Sequence, residues 1–165
     1  MAAEVTIDFS AFHNLTARAS EYATQAMDLG LDVMASEAKA LAPVGESGTL
    51  AQSIRRGPPE GSILTRDLRG DIIAATPYAE AQEFGSGVHG PKGEAYPIVP
   101  RFKRALRWPV QGSIPGGGPG FGFAKKVMHP GVQGQHFLER GVEAKLDTLG
   151  RELTAAIALA LEEEG

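Results

Sequence analysis

The chain contains no cysteine, no excess of positive charge and no apolar run long enough to cross a bilayer, and each absence removes a class of function. Without cysteine there is no disulfide framework, no redox pair and no thiolate metal site, which fits a reducing cytoplasm. The formal charge of −4 argues against a protein that coats nucleic acid, because such domains carry a basic excess that neutralises phosphates. Contact with DNA is therefore expected to be loose or sliding. The longest apolar run, 155–161, falls far short of the roughly 20 residues that span a membrane. The N-terminal stretch MAAEVTIDFSAF has no basic segment leading into an apolar one, so neither a secretion signal nor a membrane partner is expected.

What is present is enough chain for one domain, read as 1–165, with a substantial core: at 165 residues about 68–70% of the unfolded surface is hidden on folding. Gly (21) and Pro (11) concentrate between residues 85 and 134, which predicts a loop-rich second half. The most structured stretch in that half is 121–140, FGFAKKVMHPGVQGQHFLER. It reads as a strand over 121–127, a hard stop at His129, Pro130 and Gly131, and a helix entry at Phe137.

In chain order, Phe12, Leu15, Ala19, Tyr22, Ala26, Leu29 and Val33 recur at spacings of three and four. This is one face of a helix over about 10–41, capped by Ser10 or Asp8 and ended before Pro43. Gly30 and a shift of the stripe predict a bend near 29–31. A β-rich middle follows over about 50–128, with a hairpin of 62–67 and 71–76 turning at 68–70. The Arg-Gly-Asp at 69–71 is then an incidental turn. Residues 77–85 fit a short helix or an irregular strand. Strands are expected over 96–99 and 105–110, broken by Pro100 and Pro109, and 112–122 reads as a mobile hairpin tip that no regular element tolerates. The last element is a helix over about 136–164, with Leu138, Val142, Leu146, Leu149, Leu153, Ile157 and Ala160 on one face. Asp147 and Arg151 are placed for an i, i+4 pair, Gly141 and Gly150 weaken the helix, and the terminal glutamates predict fraying. The fold class is α+β: an antiparallel sheet packed by two long helices, with extended loops.

The motifs that resemble chemistry are weak. Residues 85–90, GSGVHG, spell the dinucleotide fingerprint, but Pro91 and a loop follow where a helix must begin, so a turn is the better reading. The glycines at 116–122 lack the Lys-Ser/Thr of a phosphate loop. His129 and His136 with Glu139 form a nominal two-His, one-carboxylate set for a small metal-dependent hydrolase, without the tight spacing that metal sites show. Glu80 and Glu83 read as a solvated face rather than a glycosidase pair. Ser47, Ser53 and Ser86 lack a nucleophile elbow. Arg101, Lys103, Arg104 and Arg107, interleaved with Phe102 and Trp108, make the most nucleic-acid-like patch; in an acidic chain such a cluster more often serves a partner protein. No catalytic constellation and no cofactor motif is expected.

Four blocks stand in order: APVGESGTLAQSI over 42–54, Tyr78-Ala79 with Glu83-Phe84-Gly85, the run from Ile98 and Pro100 to Leu106 and Trp108, and His129-Pro130-Gly131 before Phe137-Leu138. This order resembles the tail-completion or head-to-tail joining proteins of long-tailed bacteriophages, also called minor tail or neck proteins. The match covers about 42–144, with Ser86 where Thr is usual and an unusually long loop at 112–122. The resemblance implies a non-enzymatic virion subunit of the neck, a tail-terminator or completion ring, with six copies favoured over twelve. Its partners would be the head connector or stopper and the tail tube. Genome DNA would pass through without specific binding. Loops 86–95 and 112–122 would order only on assembly. A head-side adaptor that touches DNA is the alternative within the same setting.

Overall fold

The computed structural model describes residues 10–45, 47–113 and 119–162. Its elements are α1 (Ser10–Leu41), α2 (Thr49–Ser53), β1 (Ile54–Arg56), β2 (Ile72–Ala74), α3 (Ala79–Phe84), a 3-10 turn (Gly87–His89), β3 (Tyr96–Ile98), β4 (Leu106–Ser113), β5 (Pro119–Ala124), β6 (Val127–His129) and α4 (Phe137–Glu162). The chain is α+β, as its patterning predicts. Among the described residues the strands form three separate two-stranded antiparallel ribbons, β1 with β2, β3 with β6 and β4 with β5, rather than one sheet. By the density of its contacts the chain divides into two compact units. One holds the residues up to Ala79 and those from His136 onward, and the other holds Glu80–Gln135.

The first unit is built on α1 and α4. Gly141 lies against Ala38, Lys145 pairs with Glu37 at 3.0 Å, and Leu149 lies against Gly30. As the α4 position rises the α1 position falls, so the helices run antiparallel. Two of these contacts depend on a missing side chain. A Cβ on Gly141 would come 2.7 Å from the Ala38 backbone, and one on Gly30 would come 2.5 Å from Leu149 Cδ1. α1 is not broken at Gly30 but runs for 32 residues, and the glycine there admits Leu149. α4 is likewise continuous for 26 residues, about 39 Å at 1.5 Å per residue. Arg151 donates to Thr148 Oγ1 at 3.3 Å rather than pairing with Asp147. The proposed cap at Asp8 and the fraying expected at Glu163 and Glu164 lie outside the described residues.

At the closed end of the helix pair sits the core: Ala38, Ala42, Leu50, Ile54, Ala79 and Phe137, with Ile72 and Ala74 of β2 packed against it. β1 pairs with β2 through Ile54↔Ala74, Arg55↔Ile73 and Arg56↔Ile72. The hairpin expected over 62–76 is therefore not formed. Residues 62–67 turn on themselves, because Ser62 N–H donates to Asp67 Oδ1 (3.0 Å), Leu64 N–H to Ser62 Oγ (3.1 Å), and Thr65 Oγ1 bonds the same Asp67 oxygen. Short polar side chains that capture the local backbone in this way compete with strand pairing. Arg69, of the Arg-Gly-Asp spelling, is bridged to Glu60, with Nη2 3.0 Å from Oε2.

Residues 77–85 resolve to the helical alternative at α3, which opens with the last residue of the first unit's N-terminal part and continues into the second unit. The strand expected over 121–127 is two strands: β5 ends at Ala124 and pairs with β4, and β6 begins at Val127 and pairs with β3. Pro109 sits inside β4 instead of breaking it. A proline lacks the N–H a central strand needs, and β4, bonded to β5 alone, has an outer edge that tolerates one. The supposed connector 112–122 is entered by strand from both sides, β4 reaching Ser113 and β5 starting at Pro119. Its tip, 114–118, lies outside the described residues.

Candidate functional site

Two of the sequence blocks, 45 or so positions apart, meet in the second unit. Ser86 N–H donates to the Val132 carbonyl at 2.8 Å, Val132 N–H donates back to Ser86 Oγ at 3.1 Å, and Val88 N–H donates to the Pro130 carbonyl at 2.7 Å. Gln135 N–H closes the far end on the Gln82 carbonyl at 2.8 Å. The two backbones are close enough to require glycine at the crossing. Gly131 has φ +98° and a Cβ there would fall 1.8 Å from the Ser86 carbonyl oxygen; Gly87 has φ +62° and its Cβ would fall 2.1 Å from that of Pro130. Thus GSGVHG is a locked turn, as the sequence suggests. It is held by backbone hydrogen bonds of its own unit.

His129 belongs to this clasp. Its Nδ1 accepts from Gly131 N–H at 2.9 Å, so the neutral ring carries its proton on Nε2, and its ring lies 5.4 Å from that of Tyr96 across the β3–β6 pair. With Nδ1 engaged in fixing the His-Pro-Gly turn, the imidazole acts as a structural brace. Of the nominal metal set, His136 and Glu139 pair with each other at 2.9 Å at the start of α4, while His129 belongs to the other unit.

The remaining motif residues divide by exposure. Phe137 is wholly buried and Glu83 nearly so, whereas Tyr78 and Phe84 are exposed. Gly85 takes φ +83° at the end of α3. Trp108 lies flat over its cross-strand partner Gly122, where a Cβ would come 2.6 Å from the indole. Arg101, Lys103, Arg104 and Arg107 are all exposed, and the Arg107 guanidinium stacks 3.5 Å above the Phe121 ring.

Two features of the first unit were not foreseen. The first is a clamp. Arg56 on β1 reaches α1, with Nη1 2.5 Å and Nη2 3.1 Å from the Asp28 carboxylate and Nε 2.7 Å and Nη2 3.0 Å from that of Asp32. The hydrogen bonds from Arg56 hold the Asp32 carboxyl below the usual carboxylate range, and Asp32 raises the guanidinium in turn. The Asp28-Asp32 spacing of one helical turn was the only sequence signal for it. The second is an open groove of about 740 Å³ between α1 and α4, lined by Tyr22, Ala26, Leu29, Val33, Ala156 and Leu159 among others. Leu29, Val33 and Leu159 are 68%, 47% and 49% exposed. The alanines and Gly30 that let the helices approach also leave this channel unfilled.

Comparison with protein families, with characterised proteins and with solved structures finds no match to this chain.

Proposed function

We propose that the chain is a structural subunit of the neck of a long-tailed bacteriophage, assembling into a ring, six copies favoured, that joins the tail tube to the head connector or stopper. The virion is its place of action, and genome DNA passes it without sequence-specific capture. The observation that carries this reading is the ordered set of four sequence blocks: the turn after Glu83-Phe84-Gly85 is clasped to the His129-Pro130-Gly131 segment through Ser86–Val132 and Val88–Pro130 hydrogen bonds, and Phe137 anchors α4 in the core. Residues spent on a rigid backbone crossing and on a helix anchor suit a joint that bears load. The apolar α1–α4 groove supplies a surface for a neighbouring copy to cover, since contiguous apolar surface left in water marks association sites.

The experiment is electron microscopy of particles assembled without this protein. The expected result is filled heads and separate tails that fail to join, or tails of uncontrolled length. Filled heads carrying normal, attached tails would refute the reading.

A further inference from the structure

The second unit carries a charge distribution opposite to that of the whole chain. Against a formal −4 overall, residues 95–135 contain no Asp or Glu, yet they hold Arg101, Lys103, Arg104, Arg107, Lys125 and Lys126. All six are exposed, and none takes part in an ion pair of the described residues. The β4–β5 register places them together. Leu106 is opposite Ala124, so 101–105 and Lys125-Lys126 leave the ribbon at the same end, and Arg107 stands opposite Phe123 on the ribbon itself. Alternation puts Arg107, Phe121 and Phe123 on one face, where the Arg107–Phe121 stack is the diagonal contact expected between adjacent strands. Phe123 is 66% exposed and Phe102 is 96% exposed.

We propose that the open end and the Arg107 face of the β4–β5 ribbon form a sequence-independent contact for nucleic acid, engaging the phosphodiester backbone through these six cations. Three properties select nucleic acid over an acidic protein. The charges are of one sign along more than forty residues, which matches a polyanion of uniform charge. Among the described residues the ribbon is two-stranded, with neither outer edge paired to another strand, and a two-stranded ribbon is a form that a duplex major groove admits. The exposed Phe102 and Phe123 rings among the cations offer stacking surfaces to unpaired bases. Duplex and single strand share the phosphate chemistry, and the test separates them. The proposal does not depend on ring formation.

The test is fluorescence anisotropy of the full chain against a labelled duplex of about 30 base pairs and against one of its strands, from roughly 50 to 200 mM salt. If all six cations meet phosphates, duplex affinity falls about a thousandfold across that range, and Lys125→Glu/Lys126→Glu lowers the log–log salt slope by about 2. Arg151→Glu on α4 leaves binding unchanged. Arg104→Glu serves as a second charge variant should the double substitution alter the melting curve. Tighter binding of the duplex identifies groove docking; tighter binding of the strand, weakened by Phe123→Ala, identifies base stacking. Absence of salt-dependent binding to either probe, an unchanged slope in both charge variants, or equal binding to polyglutamate would overturn the proposal.

Discussion

Replacing Phe137 by alanine tests the anchor of α4 directly. The side chain is fully buried, and its neighbours Ala38, Ala42, Leu50, Ile54 and Ala79 come from α1, the residue just past its end, α2, β1 and the start of α3. The substitution has two costs. Loss of ring burial is worth about 2–3 kcal/mol. The cavity adds up to about 2 kcal/mol at roughly 24 cal/mol per Å3, depending on how far the site collapses. Collapse is limited here, because three of the neighbours are alanines with no side chain to swing inward, and Ala38 is already against Gly141. The expectation is therefore about 4 kcal/mol, within the usual range for a buried phenylalanine truncation. In urea, with a slope of about 2 kcal/mol per molar, the midpoint falls by about 2 M. Phe84→Ala, a truncation at a half-exposed ring, is the control and should cost a small fraction of that. A loss below about 1 kcal/mol at Phe137 would mean that the ring does not hold the terminal helix, and the account of the core would be wrong.

Gly131→Ala places a methyl against the Ser86 carbonyl at a positive φ; it should cost at least about 2 kcal/mol and speed amide exchange at Ser86, Val88 and Val132, and normal protection there would sink the clasp. Within α4, Gly141→Ala should destabilise by about 1–3 kcal/mol through collision with Ala38, whereas Gly150→Ala, which meets nothing within 4 Å, should stabilise by up to about 1 kcal/mol; thermal melts of the same sign would refute the close helix crossing. The Asp32 pKa is lowered in the folded state, so the clamp's contribution is present above the unfolded carboxyl value near 4 and is lost as pH falls through the folded one. Asp32→Asn should accordingly narrow its stability gap to the parent as pH drops below about 4, and a gap that stays constant down to pH 2 would contradict the linkage.

Which of these features could be read from the sequence follows from the range over which each acts. The two long helices and the fold class were legible because apolar periodicity is a local signal repeated many times. Phe137 was legible as the entry to the last helix, but the stripe assigned to that helix began one residue later at Leu138, whereas the buried α4 positions are Phe137, Gly141, Leu149 and Ala160 and Leu146 is exposed. The glycines were misread for a physical reason. Propensity counts a helical glycine as a weakness, while at Gly30 and Gly141 its value is the missing side chain, which is defined only by Leu149 and Ala38 on the other helix. Only Gly150, with nothing near it, behaves as propensity alone predicts. Strand assignment failed in the same way. Residues 62–67 have the composition of a strand, but Ser62, Thr65 and Asp67 settle their hydrogen bonds locally, and β2 finds its partner in β1 instead.

The clasp and the basic ribbon extend this argument to the candidate sites. Ser86 and Val132 were each visible in a motif, and so were Arg101 and Arg104, yet that Ser86 meets Val132 and that 101–104 leave the ribbon at the same end as Lys125-Lys126 depends on long-range backbone pairing that no local pattern encodes. Splitting what reads as one strand over 121–127 into β5 and β6 accounts for both sites at once. β5 carries Phe121 and Phe123 opposite the Arg107 segment, β6 carries His129 to the Gly87 turn, and the two lysines occupy the break between them, outside any ladder and free to face solvent. A continuous strand would have alternated those lysines across the two faces of one ribbon. The break instead leaves both exposed at the same end of the ribbon as 101–105, so the same departure from the simple pattern that locks one block against another also gathers the positive charge.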